Sequence, residues 1–186
     1  DLFAADFFLD CSGFRSIIVQ QALREPFISF ADNLFNDRAV AMPTANDAGG
    51  ILCQTRATAL SAGWAWHIPL TNRAGNGYVY SSQFISDDDA ETELRTHLGM
   101  LDAPVEARRL QMKVGRVTNS WVGNCLAVGL SQGFIEPLEA TALHIVQATV
   151  EGFADAFEAG GFTSEHRSEF NKSIGARYDG IRDYIV

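Results

Sequence analysis

The run Gly63 to Leu70, GWAWHIPL, sets the tightest limit on what this chain can fold into. It holds two of the three tryptophans one residue apart, followed by His-Ile-Pro. Read as a β-strand, it projects Trp64, Trp66 and Ile68 to one side, because alternate side chains share a face. Two indoles side by side either fill a large core or wall a pocket.

The flanking sequence predicts a mixed α and β fold. Asp6 to Cys11, DFFLDC, suits a short buried strand, and the turn SGFRS that follows it lets a helix start over Phe14 to Leu23. Arg38 to Gly50 reads as irregular, with Pro43 and NDAGG marking a loop. Thr55 to Ile68 and Tyr78 to Ile85 read as two strands, with Asn76-Gly77 as the turn signal between them. Ser86 can cap a helix whose first turn is the acidic run Asp87 to Asp89, with Gly99 closing it. That run complements the helix dipole, so no metal is needed to explain it. Arg116 to Trp121 reads as a further strand. Pro137 suits a helix start, after which Leu143, Val146, Val150, Phe153 and Phe157 recur at helical spacing until Gly160-Gly161. A last helix begins near Thr163 and carries Phe170, Ile174, Tyr178, Ile181 and Ile185 on one face, so both stripes are expected in the core.

Composition narrows the partners. The 186 residues carry a net charge of −9, and their 14 basic residues do not cluster, which argues against nucleic acid. No apolar run approaches the roughly 20 residues of a membrane-spanning helix, and no secretory leader is visible. Cys11, Cys53 and Cys125 are odd in number, widely spaced and set among apolar residues, and read as buried thiols of a reducing, cytoplasmic compartment. Neither they nor the four histidines show metal-ligand spacing.

Two stretches besides the tryptophans suit chemistry. The glycine turn in DCSGFRS is either a plain tight turn or a place where backbone approaches a ligand, with the helix start beyond it favouring an anion. In GFIEPLEATAL, Gly133 to Leu143, a helix starting at Pro137 leaves its first N–H groups facing outward as a second anion site. Glu136 and Glu139 lie in or beside that turn. They either complement the dipole or act in proton transfer or in stabilising a cationic intermediate.

Together these stretches resemble the flavin-dependent halogenases of the tryptophan halogenase family. Trp64-x-Trp66-x-Ile68-Pro69 matches the family signature W-x-W-x-I-P, and FIEPLEATA aligns with its second signature, F-x-x-P-x-x-S-x-G, through Phe134 and Pro137. DLFAADFFLDCSGFRS and SWVGNCLAVGLSQGFIEPLEATALHIVQ are similar to its later flavin-binding segments. The resemblance implies an FAD-dependent monooxygenase-like fold with a mixed sheet and flanking helices. In that frame, residues 1–186 are the internal portion of one domain, lacking the N-terminal nucleotide-binding segment and the C-terminal substrate segment.

The implied reaction uses FAD, delivered as FADH2 by a separate flavin reductase, together with O2 and chloride or bromide. Hypohalous acid made from a flavin hydroperoxide passes down a tunnel to a lysine and halogenates an electron-rich aromatic such as tryptophan or indole. By residue, the resemblance makes Glu139 the catalytic glutamate and puts Thr141 and Ala142 where backbone N–H groups hold the halide. It assigns Ser12, Gly13, Gly123, Asn124, Leu130 and Leu143 to cofactor binding, and Trp64 and Trp66 to the tunnel wall. It implies no metal and allows a homodimer.

Ala140 and Ala142 depart from the serine and glycine of the second signature, and neither Lys113 nor Lys172 sits in a context matching the catalytic lysine. These 186 residues alone are therefore expected neither to hold FAD tightly nor to halogenate. Two other readings stay open: a flavin monooxygenase on the same scaffold, and a non-catalytic flavin- or aromatic-binding module.

Overall fold

The computed structural model describes residues 4–46, 49–136 and 141–186; Pro137, Glu139 and Ala140, singled out above, lie outside the described residues. The fold is mixed α and β. Its strands are β1 (Phe8–Asp10), β2 (Phe27–Ser29), β3 (Arg38–Thr44), β4 (Arg56–Leu60), β5 (Gly63–Pro69), β6 (Ala74–Tyr80), β7 (Arg108–Gln111), β8 (Gly115–Val117), β9 (Trp121–Val122), β10 (Cys125–Ala127) and β11 (Gly133–Phe134). The helices are α1 (Asp87–His97), α2 (Thr141–Ala159 in its described part) and α3 (Arg167–Ile185). The chain divides into two compact units, one running from Phe35 to Met112 and the other formed by the residues up to Leu34 with Lys113–Val186.

The Phe35–Met112 unit is an antiparallel sheet of order β4-β5-β6-β3-β7 with α1 against it. Its register separates two very different faces. Opposite Ala65 stands Tyr78, opposite Tyr78 stands Val40, and these residues with Met42, Tyr80, Ala90 and Leu94 make a buried core. The other face carries Trp64 and Trp66 among Ala57, Ala59, Gly75, Gly77, Ala39 and Ala41. Helix α1 starts where the sequence puts it: the Ser86 hydroxyl accepts from the Asp89 N–H at 3.1 Å, and Gly99 takes a positive φ beyond the last turn. The acids of its first turn have partners in the protein. Asp87 accepts from the Tyr80 hydroxyl at 2.7 Å, and Asp88, with Glu91, grips Arg109.

Three expectations for this unit are corrected. Asn76-Gly77 is no turn but the middle of β6. Gly77 is small because the Trp66 ring lies over it, and Asn76 is buried and bonded to His67 (2.6 Å) and Thr44 (3.0 Å). The run Thr55 to Ile68 is two strands with a break at Ser61-Ala62; the reversal between β5 and β6 lies at Leu70–Arg73, closed by a 2.8 Å backbone bond, and β6 ends at Tyr80. Residues 38–44, read as irregular because of Pro43, form a central strand. Pairing with β7 stops at Ala41, so Pro43 sits where one side of the strand needs no N–H.

The second unit holds two three-stranded sheets, β1-β10-β9 and β11-β8-β2. Its core centres on the third tryptophan: Trp121 is buried among Phe7, Phe153, Phe157 and Phe170, at centroid distances of 4.8–6.1 Å. Helix α3 closes this core with Phe170, Ile174 and Tyr178, Ile181 and Ile185 packing at its margin, as its stripe predicts; it begins at Arg167 rather than near Thr163. A bidentate pair from Arg116 to Asp179 (3.1 and 3.0 Å) fixes α3 to β8. The stripe on α2 is only partly core. Phe153 and Phe157 pack inward, whereas Leu143 and Val150 are exposed and the buried positions are Ile145 and Thr149. Arg116 to Trp121 is split between β8 and β9. Cys11 and Cys53 are exposed and only Cys125 is buried, because the short or irregular segments bearing the first two bury few side chains; all three are free thiols.

Candidate functional site

The turn after β1 departs from an ordinary helix start. Gly13–Arg15 forms a 3-10 turn, Ser16 takes a left-handed φ of +40°, and Ile17–Ala22 winds as a π-helix, with Gln21 and Leu23 donating to carbonyls five residues back. The cause is Asp10, buried at the end of β1. One carboxylate oxygen accepts from the Ile18 and Val19 N–H groups at 3.0 and 2.9 Å, and the other from the Ser12 N–H at 3.1 Å and the Ser12 hydroxyl. Ser12 Oγ in turn accepts from the Ile17 N–H at 2.8 Å. The anion favoured by this helix start is thus the protein's own carboxylate. Burial opposes the charge on Asp10, yet the bonds from the Ser12 hydroxyl and from the Val19, Ser12 and Ile18 N–H groups together outweigh it and hold the carboxyl below its ordinary value. Gly13, at φ +70°, borders open space on the side where a Cβ would stand.

Gly123 and Asn124 form the two-residue turn between β9 and β10, with a positive φ at Gly123. Asn124 ties the turn to the chain entering β1: its carbonyl accepts from the Phe8 N–H at 2.9 Å and its amide donates to the Asp6 carbonyl at 3.2 Å.

Leu130, Ala142 and Leu143, three of the residues singled out from sequence, line one cavity of about 240 Å³ with Phe134, Ile145 and Tyr178. Its walls are almost wholly apolar. Leu130 is 40% exposed and Leu143 78%. Thr141, next in sequence to Ala142, opens the described part of α2, and its hydroxyl is buried with no hydrogen-bond partner among the described residues. Beneath the cavity, Gln132 bonds Ser120 (2.8 Å), Thr149 (3.0 Å) and Tyr178 (3.3 Å), all buried, which fixes the floor. Burial raises the Tyr178 hydroxyl well above its ordinary value, so it stays neutral.

Trp64 and Trp66 belong to the other unit. They are half-buried, meet edge to face at 6.3 Å, and stand on the face opposite the Tyr78–Leu94 core. Of the two roles open to them, filling the core falls to Trp121 instead. Sequence reasoning missed Asp10, Ser16, Ser131 and Gln132. An acid closing the apolar run Phe7-Phe8-Leu9 was the available signal for the first, since a carboxylate is rarely buried without several donors.

Comparison with known proteins accounts for the whole chain. The family model described as Tryptophan halogenase matches residues 1–186. The chain is similar to the tryptophan 6-halogenase SttH of Streptomyces toxytricini, at 44% identity over 183 residues covering 97% of this chain and 35% of that protein. The SttH crystal structure superposes with a TM-score of 0.92 at 43% identity, over 98% of this chain and 36% of that one. A tryptophan C-6 flavin-dependent halogenase (chlorinase) from taromycin biosynthesis gives a TM-score of 0.91 at 42% identity, over 98% of this chain and 36% of its own. The chain therefore spans about a third of the length of the relatives it matches.

Proposed function

Because this chain belongs to the tryptophan halogenase family, we propose that it is the internal part of an FADH2-dependent halogenase that acts on an electron-rich aromatic such as tryptophan or indole. The observation that supports this is that Leu130, Ala142 and Leu143, which the resemblance assigns to the cofactor and the halide, line one apolar cavity together. Such walls suit a flat apolar ring. Reduced FAD, when bound, supplies with O2 the oxidation that turns chloride or bromide into hypohalous acid.

The roles of this chain's own residues follow. Ser12 and Gly13, with Gly123 and Asn124, offer backbone at tight turns for the cofactor to approach. Leu130 and Leu143 cover its apolar face and keep water out. Thr141 and Ala142 hold the halide through their backbone N–H groups. Glu139 stabilises positive charge on the electrophile or on the ring under attack. Trp64 and Trp66 wall the passage of hypohalous acid, standing as they do outside their sheet's core. A cytoplasmic setting and a separate flavin reductase complete the proposal.

The test uses the full-length protein with reductase-supplied FADH2, O2, bromide and indole, with product followed by mass. Brominated indole is expected, and is lost in Glu139→Gln. Hydroxylated indole without bromination overturns the proposal in favour of a monooxygenase. Retained FAD with no product from any aromatic overturns it in favour of a binding module.

A further inference from the structure

Asp10, Ser16 and Ser131 come from three separate segments, and all are essentially solvent-free at 1%, 0% and 0% exposure. Their hydrogen bonds, with the backbone from Ser16 to Val19, close into a ring. The Asp10 side chain holds the Ser12–Gly13 turn and the first N–H groups of the π-helix. Ser16, at the entry to that helix, donates its hydroxyl to the Ser131 carbonyl at 2.9 Å. Ser131, ending the 3-10 turn Gly129–Ser131, donates its own hydroxyl back to the Asp10 carbonyl, which also accepts from the Val128 N–H at 3.1 Å.

The ring's members serve no apolar packing that smaller or greasier residues could not supply, and buried polar groups are retained at a cost unless fully matched. Here they are matched. What the ring joins is the turn carrying Ser12 and Gly13 to the turn carrying Leu130, two segments more than 110 positions apart in sequence. We infer that Asp10, Ser16 and Ser131 are positioning residues that lock these two turns into one rigid body, so that both meet the flavin in a fixed spacing. The inference rests on the flavin site proposed above. A cofactor contacted by two independently mobile turns would lose binding free energy to ordering both of them. Ordering them beforehand removes that loss.

The full-length protein tests this with Ser131→Ala, Ser16→Ala and, as control, Thr44→Val, which removes a bond to the buried Asn76 in the Phe35–Met112 unit. FAD affinity is read by flavin fluorescence, alongside the melting temperature and hydrogen exchange at Ile18 and Val19. The ring variants are expected to weaken FAD binding about three- to tenfold, the equivalent of one hydrogen bond's net worth. They are also expected to speed exchange at Ile18 and Val19, although Ser131 touches neither. Thr44→Val is expected to lower the melting temperature and leave both other readouts unmoved. Ring variants that change FAD affinity no more than Thr44→Val overturn the inference. Should wild-type protein hold no FAD, the flavin site itself fails and the inference with it, while faster exchange in Ser131→Ala would still report the mechanical link.

Discussion

Gly77→Ala is the most informative single change in the sheet. A Cβ at position 77 falls 2.1 Å from two atoms of the Trp66 ring and 2.6 Å from a third. Carbon atoms in contact sit at about 3.5–4.0 Å, so the indole must withdraw by roughly 1.5 Å. Trp66 is half-buried and its ring can lift, which keeps the cost to the about 1–3 kcal/mol usual for overpacking. In a Trp66→Ala background the obstacle is gone, and alanine in place of a strand glycine then contributes about 0.5–1 kcal/mol of stability. The same substitution thus changes sign, with a coupling of about 1.5–4 kcal/mol. Urea unfolding of wild type, both single variants and the double variant, followed by far-ultraviolet circular dichroism, measures the cycle. Gly63→Ala is the contrast: its Cβ meets the main-chain oxygen of Val79 at 2.0 Å, and removing Trp66 leaves its cost unchanged. If Gly77→Ala costs the same in both backgrounds, the reasoning that Gly77 exists to seat Trp66 is refuted.

Other expectations follow from the same geometry. The Asp10 carboxyl titrates below its ordinary value in the folded chain, so its contribution is fully present above about pH 4, the unfolded carboxylate value, and is lost as pH falls towards the folded one. Melting temperature measured from about pH 5 to about pH 2 is expected to fall less steeply in Asp10→Asn than in wild type, and parallel slopes would contradict this. An aromatic disulfide reagent is expected to titrate Cys11 and Cys53 at once in native protein. Cys125, whose thiol is pushed up to about 11 chiefly by burial and then by the charge of Asp10, is expected to react only on unfolding; three fast thiols would be the contrary result. Trp121→Ala empties the centre of an aromatic cluster and is expected to cost about 3–5 kcal/mol by urea unfolding, far more than Trp64→Ala, whose indole stands outside its sheet's core.

The elements that sequence revealed are those in which local chemistry and tertiary role agree. Helix α1 carries its cap, its acidic first turn and its closing glycine within the fourteen residues from Ser86 to Gly99, and each acts on its immediate neighbours. Misreadings arose where a residue known for one local habit was chosen for a distant partner. Asn76-Gly77 has the composition of a turn, but its small side serves an indole on the next strand and its amide serves His67 and Thr44. Pro43 looked like an interruption until the shorter reach of β7 showed which N–H was dispensable. The π-helix after β1 was illegible because its cause, a carboxylate eight residues upstream of the N–H it binds, is invisible to helical periodicity. The cavity residues Leu130, Ala142 and Leu143 were named only through resemblance; exposure of a leucine within a helical stripe has no signature in the spacing itself.

The tryptophan-bearing face of the Phe35–Met112 sheet carries Ala39, Ala41, Ala57, Ala59, Gly75 and Gly77 around the two indoles, with Pro43, Ile68, Val79, Arg108 and Leu110 also on that side. Six residues with no side chain beyond Cβ make low ground around Trp64 and Trp66, which are the bulkiest side chains on it. The relief there is therefore set chiefly by positions 64 and 66, and neither is committed to the core on the sheet's other face. Such a surface can be recontoured by one or two substitutions without disturbing the foundation beneath it. That separates the freedom to vary what passes over the sheet from the need to keep the sheet itself.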